Sequence, residues 1–154
     1  MKKLFVLVFV LTMVSWSYAQ KSVDFVIKNN TGKLFEKVND AFLLTGLKVS
    51  GLQTASDFEA FKKLALSQSG VKEFDYLAEA ESNGARKSKL ILASKEEPTF
   101  LNFLKGVGVK HIIINDKSFT LDQSEQLKNY LKELREKHKE RANASKNVSG
   151  QNSK

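Results

Sequence analysis

Apolar positions along this chain change period several times, and each change marks an element. SVDFVIKN (22–29) alternates weakly and predicts a short strand or an ordered lead-in. Leu34, Phe35, Val38 and Phe42 then recur at helical spacing, with Asn30 or Thr31 ahead as a cap and Gly46 behind, which predicts a short amphipathic helix. LKVSGL (47–52) reads as a strand, and Phe58, Phe61, Leu64 and Ala65 repeat at three and four to give a helix ending before Gly70. VKEFDYLAEAES (71–82) sets Val71, Phe74 and Tyr76 among charges, and Asn83-Gly84 separates it from a second alternating run, a hairpin signal. Pro98 stands where a helix can begin, Phe100, Leu101, Phe103 and Leu104 form its apolar face, and Gly106 stops it. VKHIIIND (109–116) predicts a buried strand, and KSFTL (117–121) is a candidate for one more short hairpin strand.

From 47 to 114 the order is β-α-β-β-α-β. That order predicts an α+β fold, a ferredoxin-like sandwich with two helices on one face of a four-stranded antiparallel sheet. The expected boundaries are a strand and helix extension over 20–46, the domain itself over 47–123, and a C-terminal amphipathic helix over 124–141. Leu127, Tyr130, Leu131 and Leu134 define the face of that last helix. Residues 142–154 are small and polar and are expected to lack fixed structure.

The first residues alter the biological picture. Lys2 and Lys3 precede an apolar run from Leu4 to Val14, and Ser17-Tyr18-Ala19 supplies a small-x-small cleavage pattern, so 1–19 reads as a secretory signal. The run is shorter than the roughly 20 residues a membrane span needs. The mature chain is therefore expected to be periplasmic or secreted after cleavage near Ala19. The sequence contains no cysteine, which excludes disulfides, thiol redox chemistry and a lipid-modified cysteine after the signal.

The formal net charge is +8 over 154 residues. Half of it lies beyond Ser124, where eight Lys and Arg face four Asp and Glu. Acids and bases are interspersed there, as on a solvated helix, and the same tail could contact an anionic surface weakly. An exported chain with no stacking aromatics among its lysines is not expected to bind nucleic acid.

The segment SGLQTASDFEAF (50–61) resembles the first loop of the heavy-metal-associated domain, which has the same element order and a Gly-Met-x-Cys-x-x-Cys loop. Gly51-Leu52 occupies the Gly-Met place, Thr54 and Asp57 stand at the two cysteine positions, and Gly70-Val71 closes the helix 13 residues after Asp57. TFLNFLKGV (99–107) is similar to that family's second helix, with Val107 in place of its aromatic residue. The resemblance covers about half the chain, 47–114. It implies the fold, while the missing thiolates remove the soft ligands that copper(I) and zinc require there. A hydroxyl and one carboxylate serve better as a helix start, with Thr54 capping and Asp57 near the positive end of the helix dipole. A thioredoxin-like frame fits less well, because Pro98 precedes a helix and no thiol exists.

Little else in the sequence carries chemistry. No phosphate loop, nucleophile elbow or His-Glu-x-x-His motif occurs, so no enzymatic activity and no cofactor are expected. The leading expectation is a small binding module for a protein partner, using the loop and sheet through Thr54, Ser56, Asp57, Phe74 and Tyr76. The alternative is a thiol-free metal site built on Asp57 and His111.

Overall fold

The computed structural model describes residues 22–149, with side chains through residue 144; the expected signal segment lies outside them. Eight strands and three helices follow in the order β1 (Val23–Ile27), β2 (Phe35–Val38), β3 (Ala41–Leu44), β4 (Leu47–Ser50), α1 (Ala55–Leu66), β5 (Val71–Ala80), β6 (Arg86–Leu92), α2 (Glu97–Gly106), β7 (Val109–Ile114), β8 (Lys117–Thr120) and α3 (Ser124–Ser149). The fold is α+β, with all eight strands in one curled sheet.

The expected helix over 30–46 is a β-hairpin instead. β2 and β3 pair antiparallel around Asn39-Asp40, with Val38 opposite Ala41, and Asn39 adopts a left-handed φ of 54° that asparagine tolerates better than most residues. The apolar spacing that suggested a helix is shared out differently: Leu34 and Leu44 enter the core while Val38 is left exposed. This hairpin continues past its own ends. β1 runs antiparallel to β4 just as β2 does to β3, and the register steps by five residues between the two ladders. Residues 29–33 are the surplus, looped out of an otherwise continuous arm.

β1 also overturns the simple four-stranded sheet. It lies between β4 and β7, antiparallel to the first and parallel to the second. β6 pairs with β5 on one side and with β3 and β4 on the other, and β8 closes the far edge beside β7. The β7–β8 hairpin turns on Asn115 and Asp116, both with positive φ (47° and 71°), as a two-residue type I′ turn requires.

The core fills one face of this sheet. Val23, Phe25 and Ile27 of β1 alternate inward, and the Phe25 ring lies 6.4 Å from Phe61 of α1 and 6.1 Å from Phe103 of α2. One of the two readings of this segment, a short strand, is thus what joins both helices to the sheet. Removing the fully buried Phe25 ring would cost on the order of 3–5 kcal/mol. α3 adds Leu127 and Leu131 to the same core, and Tyr130 packs on Phe119 of β8 with ring centroids 5.6 Å apart. The helix then continues eight residues beyond its expected end, and the side chains described from Arg135 to Ala144 are all exposed. Among the described residues no helix is long and apolar enough to cross a membrane.

Candidate functional site

The loop after β4 performs the local task its sequence suggested. Thr54 is the N-cap of α1, and its hydroxyl accepts the Asp57 backbone N–H at 3.1 Å. The Asp57 carboxylate in return accepts the Thr54 N–H at 2.9 Å and the Gln53 N–H at 3.2 Å. Thr54 and Asp57 therefore form a reciprocal capping box. Gly51, with φ +90°, makes the bend possible: a Cβ there would stand 1.8 Å from the Ser22 carbonyl oxygen.

The other residues expected at an interaction surface separate. Ser56 is exposed in the first turn of α1. Phe74 is only 1% exposed and packs 5.4 Å from Phe61, so it belongs to the core and not to a docking surface. Tyr76 lies on the same inward face, its ring 5.0 Å from Phe58 and its hydroxyl donating to Glu59 at 2.6 Å. That hydrogen bond, aided by burial, holds the phenol above its ordinary pKa. Arg86 covers this pair of rings, 4.4 Å from Phe58 and 5.6 Å from Tyr76. On β5 Glu73 meets Lys89 and Asp75 meets Lys62 of α1, and just past its end Glu81 meets Lys48.

His111 has a partner in the sheet, and it is Asp24. His111 lies on the sheet face turned away from α1 and α2, where its Nδ1 is 2.9 Å from Asp24 Oδ1 in the neighbouring strand. Asp24 was not singled out in the sequence, because its link to His111 spans 87 positions and only strand pairing reveals it. Among the described residues no group of three or more His, Asp or Glu side chains converges as a metal site.

A different feature has the shape of a binding site. Between the looped-out segment, the start of β2, the first half of α2 and the first three turns of α3 lies a groove of about 620 Å³. Leu34, Phe35, Phe100, Leu101, Leu127 and Leu131 provide its apolar surface, with Phe35 edge-on to Phe100 at 5.2 Å. Lys33, Lys95, Lys128 and Arg135 stand around it against the single carboxylate of Glu97. Lys128 bridges Glu97 at 2.7 Å and Glu125 at 2.6 Å, which lowers the Glu97 pKa and raises that of Lys128. Among the described residues neither Lys33 nor Lys95 has a carboxylate partner; the Lys95 ammonium sits 5.4 Å from the Phe42 ring centre.

The groove depends on the five-residue loop, and the loop depends on Asn29. This side chain is 5% exposed; its Oδ1 accepts the N–H groups of Gly32 (2.7 Å) and Thr31 (3.0 Å), and its Nδ2 donates to the Lys33 carbonyl at 2.7 Å. Asn115 locks the same residue from the β7–β8 turn, accepting the Asn29 N–H at 2.9 Å and donating back to its carbonyl. Gly32 lets α3 close the wall: its carbonyl accepts Arg135 Nε–H at 2.9 Å, and a Cβ would lie 2.3 Å from the Leu131 carbonyl oxygen. The helical stripe Ser124, Leu127, Lys128, Leu131 and Arg135 was readable as a mixed apolar and basic face. Its partners on the loop and α2 lie far away in sequence and form no motif.

The described architecture is that of a small α+β domain with a one-sided core and a basic, apolar-floored groove. Comparison with protein-family models, curated proteins and solved structures finds no match for this chain.

Proposed function

We propose that this chain is an exported binding module whose binding surface is the groove between α2, α3 and the 29–33 loop. Its core is read as a ferredoxin-like unit, β4-α1-β5-β6-α2-β7, into which β1 has been inserted, with the thiol site of the heavy-metal-associated domain replaced by a helix cap. The groove is the observation that carries this reading. Its size lies in the range of small-molecule sites, and a few polar groups surround a largely apolar lining, as such sites require. Supporting it, the looped-out residues and the buried Asn29 network form a wall of the groove.

The test uses a neutral fluorescent reporter of apolar sites, N-phenyl-1-naphthylamine. It should bind the mature chain saturably, and filling the groove with Leu101→Trp should abolish the signal. Leu77→Ser, on the exposed part of β5, should leave it unchanged. Non-saturable binding, or equal loss in both variants, would dismiss the groove. Intact-mass measurement of the secreted chain should find Gln20 at its N-terminus; an uncleaved or cytoplasmic product would dismiss export.

A further inference from the structure

We infer that the groove receives a single alkyl chain ending in a carboxylate, a fatty-acid-type anion; this rests on the groove being the binding surface. The argument starts from charge. An apolar cleft that served a neutral ligand would not need cations around it, yet four line this one and only Lys128 is matched by carboxylates, those of Glu97 and Glu125. Among the described residues Lys33, Lys95 and Arg135 have no carboxylate partner, and Arg135 gives its Nε–H to a backbone carbonyl. An amphipathic anion is the class that satisfies both the apolar surface and the excess of positive charge.

Dimensions favour a chain over a macromolecular partner. From Ser124 to Arg135 the α3 wall rises about 16 Å at 1.5 Å per residue, and the groove is bounded on three sides. A stable protein partner would cover roughly 800 Å² per side, far more than three helical turns of one groove provide. The headgroup is read as a monoanion because Glu97 occupies the first turn of α2 and would repel a doubly charged phosphate, while the Gly32 N–H is already taken by Asn29. A carboxylate carries half that charge and is repelled less, and Lys33, Lys95 and Arg135, which all line the groove, complement it.

The experiment is displacement of N-phenyl-1-naphthylamine from delipidated mature protein by decanoate, dodecanoate and tetradecanoate, each compared with the alcohol of equal length. The carboxylates should compete, with affinity rising about two- to fourfold per methylene, and each should outcompete its alcohol at low salt. The pair Lys33→Gln and Lys95→Gln, neither of which has an acidic partner to lose, should weaken the carboxylates about fivefold and spare the alcohols and the reporter. Equal competition by acids and alcohols, or none by either while the reporter still saturates, would overturn the ligand class and leave the binding site standing. Failure of the reporter itself would overturn the site.

Discussion

Asn29 shows how much of this protein rests on one polar side chain. Its amide is buried and fully engaged, so Asn29→Ala would leave the Gly32 and Thr31 N–H groups and the Lys33 carbonyl without their partner. We expect a loss of about 2–3 kcal/mol in urea unfolding, because unpaired buried polar groups cost more than the hydrogen bonds contributed. Thr54→Ala should cost about 1 kcal/mol, and Thr54→Ser much less, since a hydroxyl suffices to cap. These two residues differ in how far the sequence discloses them. Thr54 and Asp57 are three positions apart and their chemistry is complete within one turn, so the cap could be read directly. Asn29 meets Asn115 across 86 positions, and an asparagine near a glycine looks like any turn.

At the scale of elements, local period was informative wherever one element owned its hydrophobic face. α1, α2, β5 and β7 fall where the apolar spacing placed them. The 30–46 segment failed because four apolar residues at helical spacing fit a hairpin equally well when the strand has a turn at Asn39 and a loop at 29–33. That loop and α3 depend on each other through Gly32. Gly32→Val would put a branched side chain at φ +70° against the Leu131 backbone, and we expect a destabilisation of at least about 2 kcal/mol. Amide exchange should accelerate across α3 from 124 to 135 and stay slow in β6. Unchanged protection of α3 would show that the helix does not need this contact.

For the whole molecule, surface charge sets the response to pH. Asp75, Glu81, Glu97 and Glu133 are held below the ordinary carboxyl range, chiefly by hydrogen bonds from Lys62, Lys48, Lys128 and Lys137. A lowered folded pKa contributes stability above the unfolded value, near 3.8 for Asp and 4.5 for Glu, and that stability is lost as pH falls through the folded value. Lys62, Lys128 and Lys137 are raised above 10.5, so their contribution is present below that pH and disappears above it. We expect Tm to be level from pH 6 to 9 and to fall below pH 4.5 and above 10.5, with both declines smaller in 0.5 M salt. Tm that continued to rise on acidification would contradict these pairs. The sheet order illustrates the limit of sequence at this scale: parallel pairing of β1 with β7 leaves no local trace beyond the alternation of Val23, Phe25 and Ile27.

The central position of β1 also determines when the protein can fold. Val23 and its partner Val109 are 86 residues apart, so the strand that occupies the middle of the sheet is made first and completed last. On a ribosome adding about 5–20 residues per second, β1 waits roughly 4–17 s for β7. During that interval α1 and α2 are made, but the edge of β1 that β7 will occupy has no strand beside it. Parallel closure over such a separation is slow even in the finished chain. A polypeptide built this way suits a route in which it is kept unfolded until its last strand has been delivered.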